Sequence, residues 1–240
     1  MQPFFKSNYE KKMIWKDTGY LVKLTNFSEN SAVLTFLTHN HGLHNGVVYG
    51  ANSKKKKNYL QIGNKFTLNW KSKSEDSMGY YNLELENSNA AQYFDNPSKL
   101  LFILSISEIC CKVLAERYDY NSLYEFTDFF FKNIISKHAH KFYIEWEMEL
   151  LKAAGYEINI NNDNFNFSKN QNNEWLLHID EKKFFYPNFL IDSSEDYTDR
   201  DLYNGLLISK FILNKFIFEP NKIRFPIVRN RLEKMLHDKI

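Results

Sequence analysis

Cysteine is nearly absent from this chain. The only two among its 240 residues are the neighbours Cys110 and Cys111, which excludes a disulfide framework and a four-cysteine zinc module. Adjacent residues on a helix point about 100° apart, so the pair suits a buried, reduced position better than a bridge. Long apolar runs are missing too. The most apolar stretch, residues 100–114, is interrupted by Glu108 and Lys112 and falls short of the ~20 residues that cross a bilayer. The first twelve residues are too polar for a secretory signal. A cytoplasmic location is expected. No G-x-S-x-G, P-loop or dinucleotide fingerprint occurs. Net charge is the last scarcity: 31 basic against 29 acidic residues leave +2, which taken alone argues against a nucleic-acid partner.

What is present is apolar surface. With 21 Phe, 15 Tyr and 4 Trp, the chain has ample material for a core and is not a disordered polymer. Its first ninety residues are punctuated by Gly, Asn and Lys. Residues 17–25 alternate as a strand, and residues 31–38 are β-branched and aromatic on both faces, as in a central strand. A turn at His41-Gly42 leads into a third strand, residues 43–50. Residues 65–70 place Phe66, Leu68 and Trp70 on one face, and residues 80–86 do the same with Tyr81, Leu83 and Leu85. Five short strands so spaced predict a small closed barrel of the OB kind, although periodicity equally allows an SH3-like barrel. From Asn96-Pro97 the period turns helical, with helices predicted over 96–114, 122–135 and 141–154, the last stopping at Gly155. Eight asparagines among residues 159–173 predict a loop unable to form a core. A small strand pair over 175–189 and helices over 198–218 and 227–237 complete the chain. The class is α+β, divided as an extension (1–12), a barrel (13–90), a helical domain (91–156) and a C-terminal module (157–240).

The near-neutral total conceals segregation. Residues 13–73 hold nine lysines and two acids; residues 90–202 hold eleven basic and nineteen acidic residues; residues 203–240 hold eight basic and three acidic. Two basic regions flank an acidic middle. The sharpest patch is Lys54, Lys55, Lys56 and Lys57, between two strands and near Tyr49, Tyr59 and Trp70, with Lys71 and Lys73 following. Flexible cations neutralise phosphates and aromatic faces stack bases, so this combination on a barrel points to single-stranded nucleic acid. His44 and the tail cations Lys222, Arg224, Arg229, Arg231 and Lys234 extend the candidate set. The competing reading is a solvated lysine loop over core aromatics.

Catalytic signals are few. His39, His41 and His44 form H-x-H-x-x-H, but they sit at a turn with no nearby acid or cysteine to complete a tetrahedral metal site. Glu145 and Glu149 share a helical face that Glu147 does not, and the three read as a solvated or partner-facing stripe. Neither an enzymatic activity nor a cofactor is expected.

Several segments carry a family resemblance. Met13-Ile-Trp-Lys-Asp-Thr-Gly-Tyr-Leu-Val and the segment from Ser28 to Gly42, an apolar strand ending in Thr-x-x-His-Gly, resemble the RecO family of bacterial DNA repair proteins. So do Gly46-Val-Val-Tyr-Gly-Ala-Asn-Ser-Lys-Lys, Leu60-Gln-Ile-Gly-Asn and Tyr143-Ile-Glu-Trp-Glu-Met-Glu-Leu-Leu-Lys-Ala-Ala-Gly-Tyr. Weaker matches start at Asn204 and at Arg224. The resemblance implies an OB fold, a helical middle and a non-catalytic recombination mediator at the nucleoid. It further implies binding of single- and double-stranded DNA, annealing of complementary strands, and partnership with RecR and the C-terminal tail of single-strand-binding protein (SSB) in loading RecA. Two departures stand out: many relatives are basic where this chain has Tyr49 and Asn52, and many carry a four-cysteine zinc site that this chain lacks, so no metal is expected. An alternative without DNA is an adaptor whose barrel binds peptides; a metal-dependent nuclease through the three histidines is a third reading.

Overall fold

The computed structural model describes residues 13–74, 77–160 and 165–238, and the expected extension 1–12 lies outside the described residues. Five strands build the first half: β1 (Met13–Ser28), β2 (Ser31–Thr38), β3 (Leu43–Tyr49), β4 (Lys65–Ser72) and β5 (Tyr80–Asn87), with a one-turn helix α1 (Lys54–Lys57) between β3 and β4. They close in the order β1-β2-β3-β5-β4, β1 pairing with β4 to seal the ring. The β3–β5 contact is parallel, with Val47 opposite Tyr80, and every other pairing is antiparallel. This is the five-stranded OB arrangement, and it removes the SH3-like alternative.

Strand β1 outruns its predicted span because two partners share it. Residues 13–20 pair with β4 and residues 19–28 with β2. The ladder skips Val22, so that Leu21 opposes Phe36 and Lys23 opposes Thr35. Such a bulge breaks the two-residue alternation. Up to the bulge the alternation holds: Leu21 enters the barrel interior with Leu34, Phe36, Phe66, Leu68 and Trp70, while Tyr20 and Val22 join the core of the helical body, and the break falls between Val22 and Lys23. Gly42 turns β2 into β3 at φ +61, and a Cβ there would lie 1.7 Å from the Tyr118 carbonyl oxygen. Only glycine fits so close to that backbone.

The helical body begins with the short α2 (Asn89–Gln92) and then α3 (Pro97–Val113), capped by the Asn96 side chain on the Lys99 amide with Pro97 in the first turn, as predicted. Next come α4 (Asn121–Lys132) and α5 (Ala139–Ala153), and Gly155 ends the latter at φ +89. A three-stranded sheet follows, β6 (Asn166–Lys169), β7 (Trp175–Ile179) and β8 (Lys182–Phe185), and then α6 (Asp199–Leu213) and α7 (Ile227–His237). Thr198 and Asp201 form a reciprocal capping box on α6. The helix expected over 198–218 closes with a π-helical turn, Asn214–Phe218, in its last five residues.

The asparagine-rich segment departs from expectation. Part of it is strand β6, and Ile158, Ile160, Phe165 and Phe167 pack on the core. The asparagine count masked two apolar pairs at alternate positions, Ile158 with Ile160 and Phe165 with Phe167; residues 161–164 lie outside the described residues. Side chains from Phe102 to Leu236 share one hydrophobic cluster, so the helical segment and the C-terminal module are built on a common core. The barrel docks on that core through Tyr20, Val22, Leu37 and Leu43. Cys110 is buried and Cys111 half-buried, both as free thiols. Among the described residues no helix is long and apolar enough to cross a membrane.

Candidate nucleic-acid interface

The four consecutive lysines stand on a structural turn rather than a slack loop. The Ser53 side chain accepts from the Lys56 amide at 3.3 Å and starts α1, while Asn52 donates to the Glu29 carbonyl oxygen at 2.9 Å and ties the turn to the β1–β2 connection. Below it Ala51 and Leu60 are buried in the barrel core. Lys54, Lys55 and Lys57 are exposed. Lys56 bends back and donates to the Tyr49 carbonyl oxygen at 2.5 Å. Three free ammonium groups thus crown one end of the barrel beside an anchored fourth.

Next to this turn the outer barrel wall carries exposed aromatic rings. Tyr49 is 66% and Tyr80 38% exposed, their ring centroids 6.2 Å apart, and Phe27 on β1 is 66% exposed. Lys71 pairs with Tyr80 across the β4–β5 ladder, and exposed Lys73 follows it. OB barrels hold oligonucleotides on the face of strands 2 and 3 and on the β1–β2 and β4–β5 loops, stacking bases on aromatics and leading phosphates past cations, and the lysine turn is tied to the first of those loops through Asn52. Sequence reasoning did not single out Phe27 or Tyr80. Both occupy outward positions of otherwise amphipathic strands, which is the signal that could have found them.

Other predicted residues are placed elsewhere. Trp70 is internal, its indole Nε1 donating to the Met78 carbonyl oxygen at 3.0 Å, and Tyr59 packs beside Phe66, so neither is a stacking surface. Lys65 spends its charge on the seam between barrel and helices, 2.6 Å from Asp128. Burial raises the pKa of that carboxyl, but Lys132, Lys65 and the Tyr20 hydroxyl more than offset this and hold it down at about 2.

His44 does not belong to the interface. It is buried among Trp15, Trp70 and Tyr81, with Nδ1 at 2.8 Å from the Tyr81 hydroxyl, and burial depresses its pKa to about 4. An uncharged internal imidazole has nothing to offer a phosphate. The other two histidines engage separate acids: His41 Nδ1 lies 2.7 Å from Asp17, and His39 Nε2 lies 2.9 Å from Glu125 on α4. Among the described residues no three His, Cys, Asp or Glu side chains are grouped to hold a metal ion.

The His44 environment predicts acid sensitivity. Unfolded, this imidazole takes up a proton near pH 6.5; folded, it does so only near pH 4. The unfolded state therefore binds more protons between those values, and stability is complete above about pH 6.5 and falls as pH drops towards 4. At about 1.4 kcal/mol per pH unit, roughly 2 kcal/mol should be lost by pH 5. Urea unfolding at pH 7 and pH 5 measures it, and His44→Gln should lose less over the same interval.

The tail divides as well. Lys222, Arg224, Arg231 and Lys234 are exposed. Arg229 is fully buried and contributes nothing to a surface. On α7 it shares the inward stripe with Leu232 and Leu236, and its guanidinium grips Glu147 of α5, with Nη2 at 2.9 Å from Oε2 and Nε bonded to Oε1. Glu147 is therefore not a member of a solvated stripe. The loop before α7 is fastened to the barrel side of the body, where Lys112 donates to the Arg224 carbonyl oxygen at 2.9 Å and the adjacent Cys111 contacts the Val22 carbonyl.

Comparison with known proteins divides the chain where the structure does, between barrel and helical body. Residues 13–88 match the family model described as Recombination protein O N terminal, and residues 95–177 match Recombination protein O C terminal. The chain belongs to the RecO family. Relatives named DNA repair protein RecO match it almost end to end. The one from Rickettsia canadensis is 27% identical over 219 residues, covering 86% of this chain and 90% of the relative. Those from Hyphomonas neptunium and Bartonella tribocorum are each 25% identical, covering 93% and 92% of this chain and 98% and 94% of the relatives. RecO membership carries a role in DNA repair and recombination. Within this RecO barrel, the lysine turn and the Tyr49–Tyr80 pair set exposed cations beside exposed aromatic rings.

Proposed function

We propose that this chain is a non-catalytic recombination mediator that binds single- and double-stranded DNA, anneals complementary strands and, with RecR, helps RecA onto SSB-coated DNA. The observation that carries the reading is the exposed, capped lysine turn set beside Tyr49 and Tyr80 on the outer wall of an OB barrel. The contact set is Lys54, Lys55, Lys57, Lys71 and Lys73 for phosphates, and Tyr49, Tyr80 and Phe27 for bases. Arg224 and Arg231 form a second basic patch for a duplex arm or a second strand. Exposed Ile223 and Ile227 beside Lys222 and Arg224 have the apolar and cationic character that an acidic SSB tail requires. The place of action is the cytoplasm, at the nucleoid.

Annealing of complementary oligonucleotides, bare and SSB-coated, tests binding, pairing and mediation together. The chain should accelerate pairing in both cases, and no acceleration on either would overturn the proposal. Tyr49 supplies a narrower check. Removing its ring by Tyr49→Ala should weaken single-strand binding by about 1–3 kcal/mol without altering the salt dependence, because stacking releases no counterions. Fluorescence anisotropy at two salt concentrations reads both quantities.

A further inference from the structure

The acidic helical body carries a groove that DNA binding does not use. It lies between α4, α5 and the segment after β8, with a volume of about 610 Å³. That falls within the range of pockets that hold compact ligands or side-chain clusters, roughly 300–1,000 Å³. Phe129, 47% exposed, stands edge-to-face on Phe142 at 5.1 Å, and Phe126, Met148 and Ile191 continue the apolar lining. Several large apolar side chains left open in one concavity mark a contact surface rather than scattered exposure.

The rim fixes the sign of what enters. Glu125, Glu145, Glu149 and Glu157 surround the opening, with Lys152 as the one cation of the lining. Each of these carboxylates has a partner, Glu125 lying 2.9 Å from His39 and Glu157 3.6 Å from Lys152. Glu145 accepts from Lys141 at 2.8 Å and from Ser193 at 2.7 Å, and Glu149 accepts from Ser122 at 2.5 Å. The facing segment adds Asp192, Glu195 and Asp196. Lys141 and Lys152 compensate only part of this charge. A phosphate backbone or an acidic tail would meet repulsion here.

We infer that this groove docks a cationic peptide segment of a partner protein, with one or two large apolar side chains seated on Phe129 and Met148 and flanking Lys or Arg residues on the glutamate rim. Apolar anchors supply affinity and the charged rim supplies selectivity and encounter rate. The glutamates at 145 and 149, one helical turn apart on α5, give such a segment two evenly placed carboxylates along its path.

The test uses the full chain and three fluorescein-labelled dodecapeptides. In the first a central Leu-Phe pair is flanked by lysines; in the second glutamates replace the lysines; in the third serines replace the Leu-Phe pair. The first should bind at least about tenfold tighter than either control. Phe129→Ser should weaken it about tenfold, and so should the double change Glu149→Lys with Glu157→Lys, which leaves the apolar lining intact if the first variant folds poorly. Affinity of both variants for single-stranded DNA should stay within about twofold of the parent, which separates this groove from the lysine turn. Equal binding of the three peptides, preference for the acidic one, or binding undiminished in the charge-reversed variant would overturn the inference. So would sedimentation showing that the groove is covered by a second copy of the chain, with dimers lost in Phe129→Ser.

Discussion

Arg229→Ala should cost the protein about 3–5 kcal/mol, a large share of the stability of an ordinary domain. The guanidinium is fully buried and binds both oxygens of Glu147, itself fully buried, while Nη2 also donates to the Leu206 carbonyl oxygen at 2.8 Å. Glu147 further accepts from the Tyr143 hydroxyl at 2.8 Å and from Ser209. One carboxylate thus joins α5, α6 and α7. Burial alone would pull the arginine pKa down, but the field of Glu147 outweighs it and pushes the pKa above its usual value, so the guanidinium keeps its charge. Removing one partner leaves the other charge buried and unpaired, which is where most of the loss arises. Glu147→Leu together with Arg229→Met removes both charges and should recover much of it. Urea unfolding of the three variants measures this. A loss below about 1 kcal/mol for Arg229→Ala would show that the pair does not hold the helices together. The same variant, assayed where it remains folded, should bind DNA like the parent, since Arg229 faces away from any ligand.

The second large effect concerns the lysine turn. Each phosphate neutralised on a single strand releases about 0.7 of a counterion, so log affinity falls with log salt in proportion to the number of contacts. Three lysines of α1 are exposed and the fourth is within reach once it leaves Tyr49. Replacing Lys54–Lys57 with alanine should therefore flatten the salt slope by about 2 to 3 and weaken binding at low salt by one to two orders of magnitude, on the order of 1–3 kcal/mol. Stability should change little, because the four side chains are solvated and the turn keeps its Ser53 cap and its buried Leu60. An unaltered slope would take the turn out of the interface.

How far the residues announced this can be judged from particular cases. The central strand over 31–38 and the final helix over 227–237 were legible to the residue, since β-branched content defined the first and Pro226 the start of the second. Strand β1 was half-legible: its bulge at Val22 reverses the alternation that strand reading depends on. The lysine run and Tyr49 were visible as a patch because charge and aromatic surface at a turn are local properties. The fate of His44 was not, since the inward face of a barrel strand depends on closure with partners distant in sequence, whereas Trp70 followed Phe66 and Leu68, with which it shared a predicted face, into the core. Arg229 had a usable sign in its three- and seven-residue spacing to Leu232 and Leu236, the spacing of an inward helical stripe. Its net charge hid that sign. Glu147 was set on a different helical face from Glu145 and Glu149, but that this face points inward could not be read until α7 was laid against α5.

The central claim is that DNA lies on the Tyr49–Tyr80 wall beside the lysine turn. Ultraviolet cross-linking of a thymidine oligonucleotide to the full chain, with the adducts mapped by mass spectrometry, tests it most directly. Adducts should concentrate on Phe27, Tyr49 and Tyr80 and fade when Lys54–Lys57 are replaced by alanine. Adducts confined to the helical body between residues 97 and 236, with the barrel unmarked, would contradict it.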